Sequence, residues 1–337
     1  MSFRLRAARP DDLEPLYEMA KLTGGGFTNL PADRKSLGRK LERAHGAFQN
    51  EAEELADEQF VLVLERAATR ELRGTCQLMT QVGRQWPFYS YRLTTLTQHS
   101  EQLDRTVRAE MLSLVTDLEG SSEVGGLFLH PSERAGGLGL LLARSRYLFI
   151  AMHRPRFADR ILAELRGIID DRGGSPFWDG VAGRFFGMGF QEADYFNAIN
   201  GNQFIADLMP KHPVYIAMLQ DSARSVIGMP HPSGRAAMRM LEDEGFAYQG
   251  YVDIFDGGPT MTARTDAVKS IGAAKAGTVI RTDCRQGDKM LLATGRLAQF
   301  RSCYGTCEPA EGGLAIDSAS ADLLDVREGD EVWSVGR

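Results

Sequence analysis

Cysteine is scarce here: the 337 residues hold four, Cys76, Cys284, Cys303 and Cys307. Only Cys303 and Cys307 stand close enough to suggest a metal clip. No second pair has comparable spacing, and none of the six histidines lies near them. A structural zinc site is therefore not expected, and no metal is. Reduced thiols in a cytoplasmic protein are the simpler reading. An excess of positive charge is lacking as well. The formal net charge is -6, which argues against nucleic-acid binding, because a phosphate-binding surface shows as a basic stripe. Long apolar runs are missing too. No stretch approaches the roughly 20 apolar residues of a spanning helix, and the first residues lack a signal-type run. These absences predict a soluble, cytoplasmic chain with neither nucleic acid nor membrane as a partner.

What is present is ordinary for a globular protein: 43% hydrophobic and 25% charged residues. The length exceeds what one core usually organises. The pattern divides into an N-terminal domain over 1–195 and a C-terminal half over 196–337 ending in a β-rich extension. Apolar residues at helical spacing after Pro10-Asp11, and again at Leu37 and Leu41, predict two helices. Gly24-Gly25-Gly26 breaks the chain between them, and Pro210 begins another break. Gln59–Glu65 and Leu72–Thr80 read as a hairpin. Glu101–Met111 is less regular, and Leu112–Leu118 is ambiguous between strand and helix. Val124–Leu129 reads as a buried strand, Ile161–Ile169 as a further one and Phe177–Met188 as a helix. Ser233–Glu244, stopping at Gly245-Phe246, echoes the earlier helix, glycine, phenylalanine order and suggests an internal duplication. Val279–Thr282, Met290–Ala293 and Glu331–Val335 are expected strands of the C-terminal addition. The fold class is thus α/β (α+β), with mixed sheets flanked by helices.

The most informative segment is Gly126–Met152, where an apolar strand meets a turn carrying Arg134, Gly136, Gly137 and Gly139 and then a helix. Small residues let the backbone approach an anion, and a helix start offers unpaired N–H groups and a positive dipole end. A pyrophosphate fits that geometry. The spacing Arg134-x-x-Gly137-x-Gly139 resembles the acyl-CoA signature of the GNAT acyltransferases. A dinucleotide loop would need a third glycine where Leu142 stands. A ligand-free glycine turn is the plain alternative.

Transfer of an acyl group to an amine needs a base, because an alkyl amine is protonated at neutral pH. Histidine suits that task. His45 and His99 lie in polar stretches, and His153 ends the motif helix. His130 follows the motif strand, and His212 lies in a break. His231 enters a proline-flanked turn before a helix. A lone histidine in such a turn is more often structural than catalytic.

Eight segments carry a wider resemblance: TGGGFTNLPAD from Thr23, PFYSYR from Pro87, SSEVGGLFLHP from Ser121, AELRG from Ala163, SPFW from Ser175, FIADLMPKHPVY from Phe204, VIGMPH from Val226 and YVDIFDGGPT from Tyr251. In these, and in their order, the sequence resembles the arginine N-succinyltransferases. That resemblance implies a tandem GNAT-like fold. It also implies transfer of succinyl from succinyl-CoA, a co-substrate and not a tightly bound cofactor, to the α-amino group of L-arginine in arginine catabolism. Some members also accept ornithine. The family's proton-donor histidine falls on His231, and its succinyl-CoA contact falls on Leu127, with Phe128 and Leu129 continuing the strand. The family usually has Leu-Cys-Thr where Val124-Gly125-Gly126 stands here, which leaves the acyl preference open. It often has Gln-Val in place of Met229-Pro230.

An arginine substrate needs acidic partners, for which Glu123, Asp253 and Asp256 are candidates; the succinyl carboxylate needs a cation, for which Arg92 and Arg166 are candidates. Each is equally readable as a cap, turn residue or ion-pair member. Members of the family work as paired paralogous subunits, so self-association or a paralogous partner is implied. Two other readings stay open: a GNAT-type N-acyltransferase using another acyl-CoA or amine, and a non-catalytic subunit that binds acyl-CoA or arginine.

Overall fold

The computed structural model describes residues 2–23, 29–134, 136–201, 203–209 and 211–337. The glycine break at 24–26, Ala135 of the glycine-rich turn and Pro210 lie outside the described residues. In chain order the elements begin β1 (Phe3–Ala7), α1 (Leu13–Lys21), α2 (Arg34–Gln49), β2 (Gln59–Arg66), β3 (Leu72–Met79), β4 (Ser90–Ser100), β5 (Arg105–Val115) and β6 (Ser122–Leu129). They continue with α3 (Leu138–Met152), β7 (Arg160–Glu164), α4 (Pro176–Gly180), α5 (Gly183–Phe186), α6 (Phe190–Asn200), α7 (Gln203–Leu208), β8 (Val214–Tyr215) and α8 (Asp221–Arg224). The chain ends with α9 (Arg235–Glu244), β9 (Ala247–Val252), β10 (Pro259–Arg264), α10 (Lys269–Gly272), β11 (Lys275–Arg281), β12 (Asp288–Thr294), β13 (Arg301–Ala310), β14 (Gly313–Ile316), α11 (Ser318–Leu324) and β15 (Glu331–Gly336). This is the mixed helix-and-strand class that the pattern predicts.

Two compact units result, each assembled from separated stretches. The first is Met1–Gln81, Ser122–Ile161 and Arg264–Arg337; the second is Val82–Ser121 and Leu162–Ala263.

In the first unit the strands run β12-β15-β11-β14-β13-β1-β2-β3-β6. Most pairs are antiparallel, and β11 with β14 is parallel. Strand β2 (QFVLVLER) is buried along all but its last residue, as an apolar run covered on both faces must be. Helix α2 starts where Asp33 accepts the Ser36 N–H at 2.7 Å. Its Leu37, Leu41, Ala44 and Phe48 then fall on one buried stripe. Phe60 of β2 packs against Phe48 and Phe149, with ring centroids 5.1 and 4.9 Å apart. Arg6 is buried among carboxylates, with Asp12 at 2.8 Å and Glu65 at 2.7 Å. The C-terminal strands enclose their own core, in which Val279, Leu292, Cys303, Cys307, Ile316 and Leu324 meet. Strands β13 and β14 went unread in the sequence because Arg301–Ala310 alternates small and polar residues without an apolar run. Cys303 and Cys307 lie in that core as free thiols.

In the second unit the strands run β10-β9-β4-β5-β8. Strands β4 and β5 make an unbroken hairpin from Ser90↔Val115 to Ser100↔Arg105. Its outer half is solvated, so Thr, Gln and Arg replace the alternation that would have marked it as β. That is why Glu101–Met111 read as irregular. The core gathers Tyr91, Phe177, Trp178, Ile205 and Val252. The predicted helix over Phe177–Met188 is two short ones, α4 and α5, broken at Val181 (φ −116°, ψ −81°). The strand predicted to reach Ile169 ends at Glu164. Beyond it the chain turns, and the Gly167 N–H donates to Asp256 at 2.8 Å. Among the described residues no helix is long and apolar enough to cross a membrane.

Candidate active site

The glycine-rich segment lies entirely in the first unit. Strand β6 pairs with β3, Gln77 opposite Gly125 and Thr75 opposite Phe128. One extra residue is therefore accommodated on β6, a β-bulge at Gly126 and Leu127. Gly126 sits at φ +58°, and a Cβ there would lie 2.8 Å from the Gln77 amide, so the bulge requires glycine. The bulge re-aims Leu127, which is partly exposed, while Phe128 stays buried. Leu129 closes the strand.

His130 then turns the chain. Its N–H donates to Arg73 O at 2.8 Å, and its Nδ1 lies 2.8 Å from Ser132 Oγ and accepts the Ser132 N–H at 3.2 Å. A 3-10 turn over Pro131–Glu133 follows, and Glu133 pairs with Arg66 at 2.5 Å. Arg134 is exposed. Gly136 and Gly137 both adopt left-handed backbone, at φ +83° and +82°. Gly137 caps α3 and accepts the Leu141 N–H at 3.1 Å. The N–H groups of Leu138, Gly139 and Leu140 therefore head the helix without intrahelical partners. A side chain at Gly139 would meet only Leu129, at 4.0 Å, which leaves the backbone open to approach. Strand, bulge, left-handed glycines and helix start together make an anion-receptive edge.

Beside the bulge sits a polar group that sequence reasoning did not assemble. Lys40 of α2 donates to Asn29 O at 2.6 Å and to Gln77 Oε1 at 3.1 Å. Burial pushes the Lys40 ammonium down to about 8, with Glu123 opposing. Burial pushes the Glu123 carboxyl up to about 7, against the pull of Lys40 and Arg146. Arg146 of α3 reaches Gly125 O at 3.4 Å. Helix period and strand alternation place each residue inward, but neither says that they converge.

The second unit holds His231 and most of the candidate substrate residues. Its turn repeats that of His130. The His231 N–H donates to Arg166 O at 2.7 Å, Nδ1 lies 2.7 Å from Ser233 Oγ, and Nδ1 accepts the Ser233 N–H at 3.3 Å. A 3-10 turn over Pro232–Gly234 leads into α9. The matching words His130-Pro131-Ser132-Glu133-Arg134-Ala135 and His231-Pro232-Ser233-Gly234-Arg235-Ala236 were legible in the sequence and mark the duplication more sharply than the helix ends did. Because Nδ1 accepts, a neutral His231 ring carries its proton on Nε2. Burial and then Arg166 hold this imidazole below its usual range.

Around Arg166 the unit gathers acids. Asp253 accepts the N–H groups of Phe255 and Asp256 at 2.7 and 2.8 Å. Asp256 accepts those of Gly167 and Gly258, both at 2.8 Å. Both carboxylates thus hold the turn around Gly257. Burial raises Asp253, and burial followed by Asp253 raises Asp256 further. Asp194 of α6, absent from the sequence reading, is pushed up to about 6 by burial and Asp253 while Arg166 opposes. The Arg166 Nε is buried with no hydrogen-bond partner among the described residues. Arg92 pairs with Asp117 at 3.0 Å and lies over Tyr251.

Comparison with known proteins gives consistent relatives. The family model described as arginine N-succinyltransferase beta subunit matches residues 3–270, and that of its C-terminal domain matches residues 275–336. The arginine N-succinyltransferase of Escherichia coli O139:H28 (strain E24377A / ETEC) is 39% identical over 330 residues, 97% of this chain and 96% of its own. The protein of that name from Shigella flexneri aligns with the same figures. The solved structure of arginine/ornithine succinyltransferase subunit AI from Pseudomonas aeruginosa is 32% identical. It superposes with a TM-score of 0.89 and covers 99% of this chain and 98% of that one.

Proposed function

The chain belongs to the arginine N-succinyltransferase family, and from that premise we propose that it moves the succinyl group of succinyl-CoA onto the α-amino nitrogen of L-arginine, releasing N2-succinylarginine and CoA. It is an acyltransferase. The observation that carries the donor reading is the β6–α3 edge: a bulged strand followed by two left-handed glycines at a helix start.

On this reading Arg134, Gly136, Gly137 and Gly139 cradle the CoA pyrophosphate, with backbone N–H groups and the helix dipole facing it. The backbone of Leu127, Phe128 and Leu129 aligns the pantetheine and thioester as an added strand would. Transfer is direct. The amine nitrogen attacks the thioester carbonyl, the C–N bond forms, and the C–S bond breaks. His231 directs its Nε2–H as a hydrogen bond at the departing thiolate, and the proton that ends on sulfur comes from the attacking nitrogen. A thiolate whose thiol has a pKa of about 8.5 is a weak enough base to leave with that help. All four cysteines are buried, which fits a route without an acyl-cysteine intermediate. Arg166, with a buried Nε unpaired, is the carboxylate partner in the second unit, and Asp194 is its cation-binding counterpart.

Incubation with succinyl-CoA and arginine, read by thiol release and by mass of the product, tests the reading. Ornithine in place of arginine tests the acceptor, and acetyl-CoA tests the donor. Release of CoA with acetyl-CoA but not succinyl-CoA would overturn the donor; no turnover in the isolated chain would point to a binding subunit.

A further inference from the structure

The first unit treats its buried carboxylates alike, with one exception. Glu65 takes Arg4 and Arg6 at 2.8 and 2.7 Å. Asp12 takes Arg6 at 2.8 Å, and Glu58 takes Arg156 at 3.0 Å. Each is held in a charge-assisted pair, as burial of a carboxylate demands. Glu123 is 4% exposed, and it forms no such pair and no hydrogen bond among the described residues. Its neighbours are already engaged: Lys40 with Asn29 O and Gln77, Arg146 with Gly125 O and with Ala143 O at 3.2 Å. A carboxylate kept for packing would be paired or replaced.

Its place is as telling as its lack of partners. Glu123 precedes the bulge on β6, and a Cβ built on Gly125 would lie 2.9 Å from its Oε1. The carboxylate therefore lies over the bulge backbone, in the space that the absent side chain of Gly125 leaves free. The charged groups facing it are Lys40 from α2 and Arg146 from α3. Sequence reasoning offered Glu123 as a guanidinium partner. An unpaired carboxylate over the thioester strand fits a different task.

We propose that Glu123 is the proton acceptor for the attacking amine, with Lys40 as the residue whose charge tunes it. The inference rests on the acyl-CoA reading of the β6 edge. One proton of the acceptor ammonium passes to a Glu123 oxygen, and the lone pair it leaves forms the C–N bond. A second proton leaves nitrogen as the amide forms and ends on the CoA sulfur. Glu123 then returns its proton to solvent, so the reaction releases one proton net. The carboxyl, held at about 7, spends comparable time in both states near neutrality, as a general base should.

The test compares wild type, E123Q, E123D and K40M by the pH profile of kcat/KM with succinyl-CoA and arginine, beside CoA affinity by calorimetry. Wild type is expected to lose activity on the acid side of about pH 7. E123Q is expected to lower kcat by roughly 10²–10³ with CoA affinity unchanged, and E123D to recover part of it. K40M removes a cation facing Glu123 and should move the acid limb to higher pH. E123Q within about threefold of wild type, or slow with the same acid limb, overturns the proposal. Wild type that fails to bind CoA would instead remove the donor reading beneath it.

Discussion

The imidazole of His153 is fully buried and joins two distant segments: its Nδ1 lies 2.8 Å from Phe149 O, and its Nε2 accepts the Leu297 N–H at 3.1 Å. Leu297 stands at φ +48°, a conformation costly for a branched L-residue. The ring also stacks on Phe149 at 4.3 Å. A neutral imidazole with its proton on Nδ1 satisfies both bonds, whereas a charged one forfeits the second. His153 ends α3, where a charged ring would meet the helix dipole. Its depressed affinity for protons gives it the opposite role.

Burial pushes His153 down to about 4 from an ordinary 6.5. Between those values the unfolded chain binds the extra proton, so this contribution is complete above pH 6.5 and is lost as pH falls towards 4. The loss from pH 7.5 to pH 5 is about 2 kcal/mol. Urea unfolding at the two pH values, compared with the same pair for His153→Gln, should show the variant less stable at pH 7.5 and with a shallower pH slope. Parallel slopes would assign the pH dependence elsewhere.

Gly137→Val places a β-branched residue at φ +82°, with its Cβ 2.9 Å from the Arg337 guanidinium. Backbone strain of about 1–2 kcal/mol is expected, with at least a tenfold loss of CoA affinity by calorimetry because the helix start is no longer approachable. Unaltered affinity would separate this loop from CoA binding.

His231→Ala is expected to slow transfer by roughly 10²–10⁴ while leaving CoA affinity unchanged and lowering the thermal midpoint only slightly, since the ring is partly exposed and caps one short turn. Ser233→Ala removes the hydroxyl 2.7 Å from Nδ1 and should lower kcat by less. A wild-type rate in the alanine variant would leave His231 with only its turn-capping role.

Arg156 is fully buried and donates to Glu58 at 3.0 and 3.2 Å and to Asn50 O at 2.6 Å. Arg156→Met strands the Glu58 carboxylate in a site 6% exposed, a cost of about 3–5 kcal/mol. Thermal unfolding measures it. The double variant Arg156→Met, Glu58→Leu should recover much of the loss, because no charge is then buried alone.

Much of the candidate site is legible because local chemistry writes it locally. Gly136 and Gly137 announce left-handed turns, and the run after them announces a helix. Leu127–Leu129 reads as a buried strand. The paired histidine turns are legible too, as the repeated word His-Pro-Ser, a sharper repeat than that of the helix ends. The β4–β5 hairpin was not legible, because a two-stranded ladder with both faces partly solvated needs no alternation. The sequence shows Asp253 and Asp256 only as carboxylates; their backbone partners reveal that they close a turn.

The sequence by itself determined the α/β class, the strand, glycine turn and helix order of β6 and α3, and, through motif resemblance, the family. Each is encoded within a few residues or in the order of short words. Tertiary structure alone decided which groups stand together. Lys40, Gln77, Glu123 and Arg146 come from α2, β3, β6 and α3, and a carboxyl near 7 exists only where those elements enclose it. Charge and burial are properties of surroundings, and the surroundings of a side chain come from residues distant along the chain.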